Sequence, residues 1–222
     1  MSNRSLMRYR KPKGLFGRIQ QLILQPILFF QTLPEAGESR SWLWAALLTL
    51  LLLGYAVVRN DTLLAENSGI ENDVQTQLVL ALSAAGAIVL GWIVQMLFLA
   101  LVTMLQGQKP IWSLNLRIVI WASIPLLLMA IVQIAYMMIG GRLLDMASLA
   151  DDALSSATPD NVFILLTHFF RQLTIFNLWR MVLFYLGATH SLNGSKWLAA
   201  LLTVLSFISL FLIPTVWQIF LG

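Results

Sequence analysis

The fold class is indicated most clearly by Leu78–Leu105, LVLALSAAGAIVLGWIVQMLFLALVTML, in which no residue carries a charge. A bilayer core about 30 Å thick is crossed by roughly 20 apolar residues in a helix. This stretch is long enough to cross it with some tilt. Because lipid offers no partners to backbone N–H and C=O groups, the spanning segment is expected to be an α-helix.

The composition of the whole chain extends this prediction. Of its 222 residues, 59% are hydrophobic and only 11% are charged, and the mean hydropathy is +0.80. Soluble domains are about 45–50% apolar and about 25% charged, which excludes an ordinary soluble protein. The absence of cysteine excludes disulfides, thiolate metal sites and cysteine nucleophiles.

Four further apolar stretches approach membrane length. The chain is therefore predicted to be an all-α, polytopic integral membrane protein with five transmembrane helices, at about 42–58, 78–105, 118–139, 173–189 and 197–220. Pro125 and Pro214 are expected to bend or open the third and fifth helices. Whether Val162–Phe170 enters the membrane as well stays open at this point.

The distribution of basic residues predicts the orientation. The first 41 residues hold seven Lys or Arg, whereas the loop 59–77 holds one, beside four acids. Lys109 and Arg117 lie between the second and third helices, and Lys196 follows the fourth. Basic residues concentrate on the cytoplasmic side of a membrane. We therefore expect the N-terminus in the cytoplasm and the C-terminus outside.

Residues 1–41 form a basic N-terminal segment ahead of a transmembrane domain over 42–222. Its apolar residues recur with helical spacing and predict an amphipathic helix in the cytoplasmic interface, kinked near Pro26. The expected apolar face is Leu15, Ile19, Leu22, Ile23, Phe29, Phe30 and Leu33, and the expected polar face is Arg18, Gln21, Gln25 and Thr32.

Basic residues near a membrane surface attract anionic lipid by about 1 kcal/mol each. Six of them stand in the first 18 residues: Arg4, Arg8, Arg10, Lys11, Lys13 and Arg18. An alternative interpretation is a topology signal that binds nothing in particular, and the two interpretations are compatible.

Arg180 lies near the middle of the fourth predicted span, and no span contains an acid. A central Arg costs about 2.5–3.5 kcal/mol on insertion scales. Asn177 and Thr174 precede it by three and six residues, so the three are expected on one helical face. They are candidates for an anion contact or for pairing with a partner's acid. The alternative is an Arg that snorkels or is satisfied by carbonyls, by Gln95 or by Gln133.

Other chemistry is weakly indicated. The sequence contains no HExxH, GxSxG or Walker motif, the acids of 140–172 lack EF-hand spacing, and the basic charge lacks the interleaved aromatics of a nucleic-acid surface. We therefore expect no enzyme, cofactor, metal or nucleic-acid partner. Ser83, Ala87 and Gly91 form a small-xxx-small face, for packing inside the chain or in a homo-oligomer.

Two segments resemble a known family. They are QPILFFQTLPEAGESRSW (Gln25–Trp42) and FNLWRMVLFYLGATHSLNGSKWLAALLTVL (Phe176–Leu205). Over about residues 25–220 the chain resembles the YIP domain family, five-helix membrane proteins with a cytoplasmic N-terminus and an extracytosolic C-terminus. The matching features are Pro26, Trp179, Gly187 and the turn Gly194–Lys196.

The resemblance implies a non-catalytic protein that works with a membrane protein partner and the lipid bilayer. Eukaryotic members are linked to Rab GTPases and vesicle traffic, whereas the short loops here are similar to those of bacterial members, some associated with ABC-type exporters. The prediction is an accessory or scaffold subunit of such an exporter in the bacterial inner membrane. Alternatives are a small transporter or channel, with Gln95, Gln133, Asn177 and Arg180 as its polar cluster, and a membrane-organising protein acting through the N-terminal helix.

Overall fold

The structure, a computed structural model, describes residues 14–34, 47–52, 54, 74–139 and 174–221. Every regular element within these ranges is helical and none is a strand, which confirms the all-α prediction. Residues 47–52 are helical, and the remaining helices are α1 Gly14–Leu24, α2 Pro26–Thr32, α3 Val74–Met104, α4 Trp112–Ala122, α5 Ile124–Met138, α6 Ile175–His190 and α7 Lys196–Leu221.

Most helices follow the apolar runs, and α4 is the exception. It begins at Trp112 rather than near Ile118. Arg117, expected to lie in the preceding loop, is inside this helix and donates from Nη1 to the carbonyl oxygen of Leu33 at 3.2 Å. Helix α4 therefore begins six residues before the predicted span and includes a charged side chain that a distant backbone carbonyl satisfies.

The two prolines inside predicted helices behave differently. The helix is interrupted at Ser123, between α4 and α5, two residues before Pro125, as expected for a residue that cannot donate an N–H bond. The Ser123 hydroxyl donates to the carbonyl oxygen of Val119 at 2.8 Å. By contrast, α7 remains helical through Pro214.

One helix in the described part of the chain is long and apolar enough to cross a membrane. It runs from Trp112 to Tyr136 and combines α4 with most of α5. Two shorter apolar helical stretches accompany it, Ile88–Met104 in α3 and Lys196–Leu210 in α7.

Four helices pack as a closed ring, in which α3 contacts α4, α4 contacts α6, α6 contacts α7, and α7 contacts α3. Helix α6 also packs against α2 and α5. A Cβ built on Gly187 would overlap with Ile118 Cγ2, closer than non-bonded carbon atoms approach. Glycine at this position therefore lets α6 and α4 come into close contact.

Helices α1 and α2 form an N-terminal arm, defined as residues 14–34, with the kink at Gln25 that Pro26 predicts. Phe29 and Phe30 are buried, and the Phe29 ring meets Trp121 edge-on at 5.0 Å between centroids. The Ser191 hydroxyl donates to the carbonyl oxygen of Phe30 at 2.7 Å. The arm is therefore packed on the ring through α2.

The expected faces of the arm hold only in part. Gln21, placed on the polar face, is 8% exposed, and Ile23, placed on the apolar face, is 44% exposed. Successive residues of an α-helix are turned by about 100°. Gln21 and Ile23 therefore lie on opposite sides of the fully buried Leu22, and the covered side is the one that carries Gln21.

Candidate functional site

Arg180 is held inside the ring of helices, with 9% of its surface exposed. Its Nη2 donates to Oε1 of Gln95 at 2.8 Å, which links α6 to α3. Its central guanidinium carbon lies 5.5 Å from the ring centre of Phe207 on α7, a cation–π contact. Gln95, one of the two amides named from the sequence, is therefore a neighbour of Arg180.

The other two residues of the predicted face have different surroundings. Thr174 precedes α6 as its N-cap, and its hydroxyl accepts a hydrogen bond from the backbone N–H of Asn177 at 3.3 Å. Asn177 is buried, like Arg180. The predicted face thus holds for Asn177 and Arg180, whereas Thr174 lies outside the helix because its hydroxyl caps the first turn.

Several buried polar residues near the ring were not expected from the sequence. Asn115 on α4 donates from Nδ2 to the carbonyl oxygen of Met96 at 3.5 Å. On α7, Ser206 donates to the carbonyl oxygen of Thr203 at 2.9 Å, and both residues are buried. Helix α7 is apolar on all sides, so no periodicity in the sequence shows which of its residues point inward. Gln133, which was named from the sequence, is also buried.

The predicted basic surface is only partly within the described residues. Arg18 is exposed on α1, and the remaining members, Arg4, Arg8, Arg10, Lys11 and Lys13, lie outside the described residues. The arm also exposes Phe16 at 88%, Leu24 at 67% and Ile27 at 50%. Its exposed residues therefore include apolar and basic groups.

Of the three residues of the small-xxx-small face, Gly91 is the one whose surroundings the structure describes. A Cβ at this position would lie 3.1 Å from Leu210 Cδ2, so Gly91 packs against α7 within the chain. The side chains of Ser83 and Ala87 lie outside the described residues. In the described ranges no group of three or more His, Asp or Glu side chains is arranged to hold a metal ion; the acids of the loop 140–172 fall outside these ranges.

Comparison with known proteins gives one match. A family model described as Yip1 domain matches residues 21–218, which confirms the resemblance drawn from the sequence. No curated protein and no solved structure matches the chain significantly. The match begins at Gln21 and includes α2, the packed part of the arm. Together with the apolar helices, it establishes that the chain belongs to the Yip1 domain family, whose members are membrane proteins.

Proposed function

We propose that this chain is a non-catalytic accessory or scaffold subunit, and that it assists an ABC-type export complex in the bacterial inner membrane. The observation that carries the proposal is the fixed position of the N-terminal arm. An arm held on the bundle presents its outer side in a constant orientation, as a docking element requires.

The arm is fixed at two points by bonds to its backbone. Ser191, which follows α6, donates to the carbonyl oxygen of Phe30 at 2.7 Å, and Arg117 of α4 donates to that of Leu33 at 3.2 Å. Both bonds end near the C-terminal end of α2, where carbonyl groups lack helical partners. The inner side of the arm is thereby committed to the bundle, and the outer side is left for a membrane surface or a partner.

The outer side has the composition of such a surface. Phe16, Ile23, Leu24 and Ile27 are exposed apolar residues, and Arg18 is also exposed on α1, on another side of the helix from Phe16. Apolar groups with flanking cations suit the boundary between a bilayer and the cytoplasm. A partner helix that lies at the same depth would contact this side first.

The proposed topology has five transmembrane helices, with residues 1–41 in the cytoplasm and the C-terminus outside. It rests on the distribution of Lys and Arg among the loops. A reporter active only in the cytoplasm should work when fused at Gly107 and be inactive at the C-terminus. An active C-terminal fusion would require an even number of spans and would overturn this arrangement.

The partner is tested by purification from the native membrane in a mild detergent, followed by identification of the accompanying proteins. We expect subunits of an ABC-type exporter with the wild-type chain and their loss with Phe16→Ser. Trp197→Ser is the matched control, because Trp197 is also 88% exposed but lies at the start of α7. Absence of exporter subunits from the wild type, or equal loss from both variants, would contradict the proposal.

A small transporter or channel is the second candidate, and the contact between Arg180 and Gln95 favours it. This bond joins polar side chains of two helices inside the bundle, as expected of a transport site built near the bilayer centre. The purified chain in liposomes would then conduct an anion without any other protein. Liposomes that remain impermeable would leave the accessory function as the better explanation.

A further inference from the structure

The centre of the ring joins two helices that stand on opposite sides of it. Helices α3 and α6 each pack against both α4 and α7. Arg180 of α6 reaches across the ring to Gln95 of α3, at 2.8 Å between Nη2 and Oε1, and Phe207 of α7 lies against its guanidinium. The positive charge therefore lies within the chain's own bundle rather than on its outer surface.

Three buried polar side-chain atoms on helices α3, α6 and α7 of the ring have no hydrogen-bond partner among the residues that the structure describes. They are Nε of Arg180, Nε2 of Gln95 and Oγ1 of Thr203. Gln95 is fully buried and Thr203 is 4% exposed. Thr203 stands one turn before Phe207, so both share one face of α7. Because buried polar groups without partners are unfavourable, a bound group that accepts hydrogen bonds would stabilise this part of the ring.

The hydroxyl of Thr203 differs from other buried hydroxyls in these helices. Thr103 and Ser206 donate to carbonyl oxygens three residues earlier, at 2.8 and 2.9 Å, and Ser123 donates to one four residues earlier. Such bonds are the usual arrangement for Ser and Thr inside an apolar helix. The Thr203 hydroxyl makes no such bond and is therefore available to a bound group.

Within the four helices of the ring, one unpartnered atom can only accept, Oδ1 of Asn115. Nδ2 of the same residue donates to the carbonyl oxygen of Met96, the residue after Gln95. Oδ1 of Asn115 and Nε2 of Gln95 both lack a partner, so the two are not bonded to each other. The amide of Gln95 offers two N–H groups and Arg180 offers its Nε–H, whereas the hydroxyl of Thr203 can donate or accept, so donors outnumber acceptors among these groups.

The charge decides which kind of acceptor fits. An arginine side chain stays protonated in proteins, and a charge that is not neutralised is costly in an apolar interior. No Asp or Glu occurs in the ranges that the structure describes. A water molecule would satisfy the donors but would leave the charge uncompensated. We propose that the ring centre binds one small inorganic anion of the halide type through Arg180, Gln95 and Thr203.

This site goes beyond the accessory function, since it requires no partner protein. The test uses the full chain, delipidated in a neutral detergent so that no lipid phosphate supplies the anion. Chloride replaces gluconate at constant ionic strength while the melting temperature is followed. A ligand that binds only the folded state raises this temperature as its concentration rises. We expect a saturable rise, and one radiolabelled chloride retained per chain in equilibrium dialysis.

Two variants locate the response at the ring centre. Gln95→Glu places a carboxylate on the residue that contacts Arg180, so it should melt at a higher temperature without halide and respond to chloride no further. Thr203→Val keeps the side-chain shape and removes one donor, which should weaken the apparent affinity for chloride about five-fold. Thr103→Val is the matched control, because the buried hydroxyl of Thr103 already donates to the carbonyl oxygen of Ala100. This variant should have the same midpoint of the chloride titration as the wild type.

A wild-type chain that neither retains chloride nor responds to it would overturn the proposal, as expected if water alone, or a carboxylate from the chain's own loops, fills the centre. The proposal would also be overturned if both Gln95→Glu and Thr203→Val gave the same chloride titration as the wild type, since chloride would then bind elsewhere. If Gln95→Glu does not fold, the comparison of Thr203→Val with Thr103→Val decides the question.

Discussion

Two arginines on neighbouring helices show two ways of placing a positive charge in this chain. Arg117 of α4 is half-buried and donates through Nη1 to the carbonyl oxygen of Leu33, at 3.2 Å. Arg180 of α6 is buried and donates through Nη2 to the side-chain oxygen of Gln95, at 2.8 Å. The first bond ends on backbone that any residue supplies, whereas the second depends on the identity of its partner.

The same difference extends to the regions around the two arginines. The junction between the arm and the ring is formed by backbone acceptors and by aromatic packing, with Phe29 against Trp121 at 5.0 Å between ring centroids. The ring centre is formed by polar side chains. The junction should therefore respond to changes of volume, and the ring centre should respond to changes of charge and hydrogen bonding.

Phe30→Ala should have the largest effect on the junction, because Phe30 is fully buried. Removing a buried Phe side chain leaves a cavity and costs about 3–5 kcal/mol. We expect a loss of this size in the equilibrium unfolding of the purified chain in mixed micelles. Phe16→Ala removes a ring that is 88% exposed and should change stability by less than about 0.5 kcal/mol. Equal losses from both variants would mean that the arm is not packed as the structure has it.

Gly187→Ala should have the next largest effect, with the opposite change of volume. The added Cβ would overlap with Ile118 Cγ2 and lie 3.3 Å from Phe30 Cε1. Overpacking of this kind costs about 1–3 kcal/mol, again measured by unfolding in mixed micelles. Gly86→Ala is the control, since no atom lies within 4 Å of the added carbon, and it should stabilise α3 slightly. A neutral Gly187→Ala would show that α4 and α6 are farther apart.

The all-α fold class could be predicted from the sequence, because apolar length is a local property. Helix α3 was expected over 78–105 and runs from Val74 to Met104. The start of α4 was missed, because Arg117 marked the edge of an apolar run. Its acceptor, the carbonyl of Leu33, is 84 residues away in the sequence, and no local pattern reports such a partner.

The surroundings of Arg180 could be predicted only in part, for the same reason. Arg180 was identified because a lone charge in an apolar run needs an explanation, and Asn177 because it lies one turn away on the same helix. Gln95 was named only as one of several neighbours, since it is 85 residues away from Arg180. Thr203 and Phe207 carry no signal, because a hydroxyl or an aromatic ring is unremarkable in an apolar helix.

Ser191→Ala tests a single hydrogen bond of the arm. The hydroxyl of Ser191 is buried and donates to the carbonyl oxygen of Phe30 at 2.7 Å. Its removal should cost about 1 kcal/mol in the same unfolding assay. Ser209→Ala removes an exposed hydroxyl that bonds only to its own helix, at the carbonyl oxygen of Leu205, and should have less effect. If the two losses are the same, the bond to the arm adds nothing specific.

Arg117→Lys should have the smallest effect and separates the two arginines most directly. A carbonyl oxygen accepts a bond from an ammonium as readily as from a guanidinium, and Arg117 is half-buried and at 3.2 Å from its acceptor. We therefore expect a change of about 0.5 kcal/mol or less in the free energy of unfolding. Arg180→Lys is the comparison. A compact, strongly hydrated ammonium cannot reproduce the planar contact with Phe207 together with the bond to Gln95. The loss of unfolding free energy should therefore be clearly larger for Arg180→Lys than for Arg117→Lys. If both substitutions cost the same, the bond at the ring centre depends on charge alone, and the distinction between backbone-held and side-chain-held arginines fails.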